Sequence, residues 1–361
     1  MTAATPTTAA TPTTAATRAA PAAPLTPTTS TPLDRVAEGA VRAIVDEHLP
    51  HTPVRLALVS LSRDPNPKTV LLALPERGEG PALAVKVGFT EPARRAVRAE
   101  GRALSELERL DPGRLAGTVP QCAQVREERE LTALVTTVAA GRPMAADYHL
   151  WGHTSRPRLV ERDFTQAGAW LSGLARIGSA SVSDPAAPGP RLVSRWPDDA
   201  AAAAADAARA EAEDRLSGAG RRSDTVSHGD FWAGNLLRSR QHVSGVVDWE
   251  RARFGADPLW DRVRFALAYT LYLDRHTARG RLVRGHDGLR AGRPGDPVRY
   301  LLRSSGWYAA CVAAFVAGGL GARGGAAWRD ALLVGLAQVA AESDEPAFAR
   351  LHVELLAELA P

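Results

Sequence analysis

The sequence predicts an α+β chain in two lobes, a small antiparallel sheet with one helix followed by a mostly helical lobe. Three observations predict it. Strand-like apolar runs at 54–60, 69–74 and 82–87, parted by Pro- and Gly-containing loops, precede a helical stretch near 91–110 and a further strand at 130–138. Gly141-Arg142-Pro143 then breaks the pattern. From Asp147 onward the apolar residues recur mostly at helical spacing.

Each element has its own signal. Val36, Ala40, Val41, Ile44 and Val45 place a helix over 33–49, with Asp34 as its cap. The helix near 91–110 presents Val97, Ala103, Leu104 and Leu107 on one face, and Ala167, Trp170, Leu171 and Leu174 do the same over 163–177. A Pro-rich loop at 184–190 follows. An Ala-rich helix over 198–216, closed by Gly218 and Gly220, reads as a surface helix without chemistry. Residues 243–247 read as a strand. Residues 307–321 read as a buried helix, because the apolar run is shorter than the roughly 20 residues of a membrane span. The domain division expected is a tail at 1–32, an N-lobe at 33–140 and a helical C-lobe at 141–361.

The tail repeats Thr-Ala-Ala-Thr-Pro-Thr-Thr at 2–8 and again at 8–14. Such a segment buries too little apolar surface to offset its ordering entropy, so it is expected to be disordered. With no charged start and no apolar centre, it does not read as a signal peptide. The net charge of +4 gives no indication of a nucleic-acid partner, and no membrane association is expected. Cys122 and Cys311 lie far apart in apolar segments and read as small core residues, a usage suited to the cytoplasm.

The most informative segment is His228-Gly229-Asp230-Phe231-Trp232-Ala233-Gly234-Asn235, followed after a strand by Asp248-Trp249-Glu250. An Asp, an Asn five residues on, and a second Asp delivered by a strand are what phosphoryl transfer from a nucleotide needs. Asp230 would position the acceptor hydroxyl, and the oxygens of Asn235 and Asp248 would hold Mg²⁺ on the phosphates. Composition sharpens this reading. The chain has two asparagines, Asn66 and Asn235, and two lysines, Lys68 and Lys86, against 42 arginines. Where Arg has replaced Lys almost throughout, a surviving Lys marks a place that needs a compact point charge. Lys86, ending the third strand, is the candidate phosphate contact. Glu100, ahead of Glu106 and Glu108 and of Glu91, is its candidate partner on the following helix. His228 reads as a loop-ordering residue and Asp261 as a brace beneath the loop. Glu250 is left between substrate or metal contact and loop support.

These motifs resemble those of the aminoglycoside phosphotransferase and choline kinase-like family, which shares the bilobal protein-kinase-like fold. The family's His-Gly-Asp loop with its Asn corresponds to His228–Asn235, its Asp-Trp-Glu segment to Asp248–Glu250, and its Gly-x-Pro-x-x-Asp to Gly255–Asp261, with one extra residue here before Pro258. The hinge-like residues 134–138 with Gly141-Arg142-Pro143 also match, covering the chain from about 35 to 350. The resemblance implies an ATP- (or GTP-) and Mg²⁺-dependent phosphotransferase with an alcohol acceptor, with Thr136 and Val138 at the nucleotide. One departure is the loop from Ser60 to Lys68, which has no glycine. Ser60, Ser62 or Lys68 would replace the backbone contacts a glycine-rich loop gives to phosphates.

The acceptor is less legible. Residues 275–303 carry eight arginines against Asp287 and Asp296, which disfavours a polycationic aminoglycoside if that stretch faces the cleft. Four readings follow: a kinase of a small neutral or anionic metabolite, in biosynthetic tailoring or self-resistance; a kinase of Ser/Thr hydroxyls on a precursor peptide, working beside partner proteins of a biosynthetic cluster; an aminoglycoside resistance kinase; and a non-catalytic pseudokinase scaffold.

Overall fold

A computed structural model describes residues 32–61, 67–78, 80–111, 113, 115, 117–178, 191–217, 225–240, 242–320 and 327–359, with side chains from residue 39 apart from those of 60 and 61. The expected disordered tail, the Pro-rich loop at 184–190, the closing Gly218 and Gly220, and Ser62 lie outside the described residues. Helix α1 (Pro32–His48) starts two residues before the expected cap Asp34 and contains the boundary between two units, residues 1–44 and 45–361.

The larger unit begins with β1 (Val54–Leu61), β2 (Lys68–Pro75) and β3 (Leu83–Gly88), then α2 (Glu91–Leu110), β4 (Cys122–Glu127) and β5 (Thr132–Thr137). The five strands form one antiparallel sheet in the order β1-β2-β3-β5-β4. Strand β4 has no counterpart in the sequence reading. It is an edge strand whose half-buried positions include the polar Gln124 and Arg126 while Ala123, Val125 and Glu127 are exposed, so it lacks a strong apolar signal. Helix α2 is capped by Thr90, whose hydroxyl accepts the Ala93 N–H at 3.3 Å, with Pro92 in its first turn. Its apolar stripe packs on β3, β4 and β5, and the acidic Glu100 sits in that buried stripe.

Then follow β6 (Arg142–Pro143), α3 (Met144–Tyr148), α4 (Pro157–Leu174), α5 (Leu192–Arg195) and α6 (Ala200–Ser217). β7 (Thr225–Ser227), β8 (Leu236–Ser239), β9 (His242–Val246) and β10 (Arg253–Ala256) make two small sheets, β6-β8-β9 and β10-β7. A single 3₁₀ turn covers Trp249–Arg251. The chain ends in α7 (Leu259–Thr270), α8 (Asp296–Arg303), α9 (Trp307–Leu320), α10 (Trp328–Glu342) and α11 (Pro346–Leu359). The aromatic core is edge-to-face: Phe164 lies 5.3 Å from Phe265 and 5.0 Å from Phe315 between ring centres.

The Ala-rich helix differs from its reading as a surface element. α6 packs on α10 and α11 and buries Ala202, Ala205, Ala208, Ala212 and Leu216. Alanine favours the helix but marks neither face, so the sequence hides which side is buried. Among the described residues no helix is long and apolar enough to cross a membrane. Cys122 and Cys311 are free and half-buried rather than fully in the core.

Candidate active site

The hairpin β8–β9 brings the two motifs together. Leu236 pairs with Val246, and the Val247 N–H donates to the Asn235 carbonyl at 3.0 Å. The chain therefore leaves the loop at Asn235 and returns to Asp248 at the same end of the hairpin. Arg238 clamps β8 to the helices, donating to the buried Asp163 at 2.9 Å and pairing with Asp147. Asp163 also accepts from the Tyr269 hydroxyl at 3.0 Å and lies 2.7 Å from His153 Nε2.

The loop itself is held from below. Asp261, fully buried on α7, accepts the N–H groups of His228 at 2.7 Å and Gly229 at 2.9 Å. Burial raises its pKa, and those two N–H groups offset this only in part. His228 is fully buried. Its Nε2–H donates to the Val247 carbonyl at 3.0 Å, and its Nδ1 accepts the Asp230 N–H at 3.2 Å. Both ring nitrogens are thus used in fixing the loop. Gly229 has φ +80°, and a Cβ there would lie 2.1 Å from the Arg251 carbonyl oxygen, so only glycine fits.

Asn235 Nδ2 donates to the Asp230 carbonyl at 2.9 Å and to its carboxylate at 3.2 Å, which leaves Oδ1 turned away from both. Asp230 Oδ1 also accepts from Arg264 on α7, at 2.7 Å from Nη2 and 3.1 Å from Nε. Sequence reasoning missed Arg264. Its one local signal is its place three residues after Asp261, on the same face of the helix.

Asp248 adopts a left-handed conformation, φ 72° and ψ 59°, which costs a non-glycine residue about 1–3 kcal/mol. Lys86 donates to it at 2.7 Å and also pairs with Glu100. Burial would lower the Lys86 pKa, but the charges of Glu100 and Asp248 outweigh it and raise it well above the ordinary lysine value. Burial would likewise raise the Asp248 carboxyl, yet Lys86, Lys68 and His228 hold it well below the usual carboxylate range. Glu100 also accepts the Trp249 N–H at 3.4 Å, tying α2 to this turn. Lys68 pairs with Glu250, and the carboxylates of Glu100, Asp248 and Glu250 lie within 4.8 Å of one another. Burial and then the Asp248 charge raise the Glu250 pKa, with Lys68 a partial offset. Both lysines of the chain therefore end in one cluster of three carboxylates.

That cluster is the one group of acids, histidines or cysteines among the described residues spaced to hold a metal, but two ammonium groups already neutralise most of it. Asn235 and Asp248 line the same cavity and carry the hard oxygen donors that Mg²⁺ takes.

Asp230, Asn235, Asp248 and Arg264 line one cavity of about 270 Å³. None of the eight arginines at 275–303 lines it, so the condition under which that stretch would weigh against a polycationic ligand is not met at this cavity. Several of those side chains have partners elsewhere: Arg299 pairs with Glu358 at 2.7 Å, and Arg284 lies over the Trp151 ring. Thr136 is buried within β5, and Val138 is half-buried just beyond it. Ser60 belongs to β1 opposite Val70.

Fold and sequence together define a phosphotransferase of protein-kinase-like fold. A sequence model described as the phosphotransferase enzyme family matches residues 61–294, and the chain belongs to that family. The apo form of a thermostable mutant of aminoglycoside phosphotransferase APH(4)-Ia shares the fold, at 14% identity, TM-score 0.50, and coverage of 88% of this chain and 98% of that one. A ternary complex of a variant of that mutant with AMP-PNP and hygromycin B is 15% identical with the same coverage and a TM-score of 0.49. Aminoglycoside phosphotransferase APH(3'')-Id from Streptomyces rimosus ATCC10970 is 16% identical, covering 82% of this chain and 98% of that one with a TM-score of 0.44. No protein of curated function matches the chain.

Proposed function

We propose that this chain moves the γ-phosphoryl group of ATP, or of GTP, to a hydroxyl of a small neutral or anionic metabolite, in biosynthetic tailoring or self-resistance. The reading rests on one observation: Asp230, Asn235 and Asp248 line a single cavity, with Lys86 donating to Asp248 from the sheet. The nucleotide would lie against the lobe ending near residue 140, with its phosphates at Lys86. The acceptor would enter the helical lobe that begins at 141. Asp230 would orient the acceptor hydroxyl and take its proton as the new O–P bond forms and the bond to the leaving ADP breaks. Arg264 and Asn235 fix the direction of its carboxylate. Mg²⁺ held by Asn235 and Asp248 would neutralise phosphate charge.

An aminoglycoside acceptor fits poorly. Of the carboxylates lining the cavity, Asp230 is engaged by Arg264 and Asp248 by Lys86. A pseudokinase is disfavoured because no member of the site set is missing. A Ser/Thr kinase acting on a precursor peptide is the second reading. In its favour, Leu150, Trp151 and Leu282 are exposed, and Tyr272, which lines the cavity, is also exposed.

Asp230→Asn tests the main reading. The variant is expected to lose phosphoryl transfer while keeping nucleotide affinity, read by ADP release and by calorimetry with AMP-PNP. Undiminished transfer would sink the assignment. An acceptor screen with a phosphate readout, spanning metabolites and Ser-containing peptides, separates the two readings.

A further inference from the structure

The wall of the acceptor cavity carries information on what it admits. Besides the site residues, its lining includes Trp232, Leu267, Leu271, Tyr272, Val339 and Phe348. Val339, Phe348 and His352 come from α10 and α11, beyond the segment that matches the family. This part of the wall is formed by apolar and aromatic side chains, beside the polar site residues. At about 270 Å³ the space falls below the roughly 300–1,000 Å³ typical of sites for drug-sized ligands, so the acceptor body is small.

Arg264 and His352 also line the cavity, and neither is used up by the protein. Arg264 spends Nε and Nη2 on Asp230, and its Nη1 has no partner among the described residues. A guanidinium with a free N–H edge in a small space favours an anion at that edge. A ligand ammonium would sit beside that cation with no unengaged carboxylate to meet it. The second is His352, fully buried on α11. Its Nδ1–H donates to the Phe348 carbonyl at 2.8 Å, which makes Nε2 the bare acceptor, and Nε2 has no partner. A buried acceptor left unpaired is costly, and a ligand O–H or N–H would satisfy it.

We propose that the acceptor is a small alcohol with an aromatic or otherwise apolar body and one anionic group, the anion seated on Arg264 and a second hydroxyl or N–H of the same molecule donating to His352 Nε2. The proposal rests on the reading of this cavity as the acceptor site. It makes Arg264 and His352 specificity determinants, each set by a side chain outside the recognised motifs.

Binding tests it without turnover. The full chain, saturated with Mg²⁺ and AMP-PNP, is titrated calorimetrically with 4-(hydroxymethyl)benzoate, its methyl ester and 4-(aminomethyl)benzyl alcohol. The carboxylate is expected to bind about tenfold tighter than the ester, the worth of one charge-assisted hydrogen bond, and the amine weakest. Arg264→Gln should bring carboxylate and ester close together, and Arg264→Lys should keep the order. A ring hydroxyl added to the benzoate should tighten binding to the wild type but not to His352→Phe or His352→Leu. Equal affinity for carboxylate and ester, preference for the amine, or no measurable binding of the carboxylate overturns the anion assignment. A ring hydroxyl that helps the wild type and the His352 variants alike overturns the His352 assignment. Failure of the kinase reading is a separate result, the absence of ADP formation from ATP with any alcohol.

Discussion

Lys68→Met probes how this site holds a triphosphate without a glycine-rich loop. Lys68 opens β2 opposite Gly88, two residues from Val70, which pairs with Lys86. Side chains two apart share a face, so both lysines project from the same side of the sheet. Lys68 meets Glu250 with side chains only 13% and 17% exposed, so water screens the pair weakly. The substitution keeps most of the aliphatic stem and removes the ammonium. A hydrogen bond to a charged group in such a setting contributes about 1.5–3 kcal/mol. Taking about 2 kcal/mol, kcat/KM for ATP should fall roughly 30-fold, with acceptor KM little changed. Lys68→Arg keeps the charge and should lie between the two. The defect should also depend on pH with a defined sign. Glu250 already has a raised pKa, from burial and from Asp248, and Lys68 pulls it down. Without Lys68 it rises further, so its unopposed negative charge develops as pH rises and repels the phosphates most at alkaline pH. The assay is ADP release at varied ATP and pH, with a thermal melt to confirm folding. A folded Lys68→Met enzyme with unchanged KM for ATP at every pH would refute a phosphate role and leave Lys68 as the partner of Glu250 alone.

Glu100→Gln removes a charged partner of Lys86 while Asp248 remains. It should lower kcat/KM for ATP about 10- to 100-fold, as losing a charged hydrogen bond implies, measured by the same assay. Gly229→Ala forces a Cβ against the Arg251 carbonyl at 2.1 Å. Displacing the loop should cost about 100-fold or more in kcat, with a lower melting temperature. His352→Gln should flatten the acid limb of stability. Burial lowers the His352 pKa from 6.5 to about 4, so the unfolded chain takes up a proton that the folded chain refuses. The contribution is complete above pH 6.5 and is lost as pH falls through about 4, amounting to about 3 kcal/mol. Melting temperature against pH, wild type minus variant, reads it directly.

The readable parts of this site are those that local spacing encodes. Asp230 and Asn235 share one loop, and Asp248 follows the strand that pairs with the exit from that loop. Glu100 could be picked out because α2 is regular and strongly amphipathic, so an acid in its buried stripe stands out. What escaped the sequence depends on contacts that no local period constrains. Lys68 and Glu250 are 182 residues apart, and Arg264 reaches Asp230 over 34. His352 looks like one more polar residue on a C-terminal helix until α11 buries it. The arginines of 275–303 left the question open in the sequence, between a charged cleft and a solvated face, and the chain there is mostly irregular and pairs some of them with surface partners such as Glu358. Charge density along a sequence says how many cations a segment has, and only the packing says which one faces a ligand.

The strained turn at Asp248 and the crowded carboxylates around it have a common basis. A left-handed aspartate persists only where its surroundings over-determine it. Here they do so from three directions. Trp249, fully buried, donates through Nε1 to the Val246 carbonyl at 2.9 Å and through its N–H to Glu100. Its ring lies 4.6 Å from that of His228, the residue that orders the Asp230 loop. Lys86 joins Glu100 to the Asp248 carboxylate itself. Glu100 therefore fixes the backbone after Asp248 with one oxygen and the cation on Asp248 with the other. Moving α2 away would cost the lysine and the strained turn one partner each, since both use the same carboxylate. The lobe that supplies Lys86 and the lobe that supplies Asp248 are in this way coupled through one buried acid.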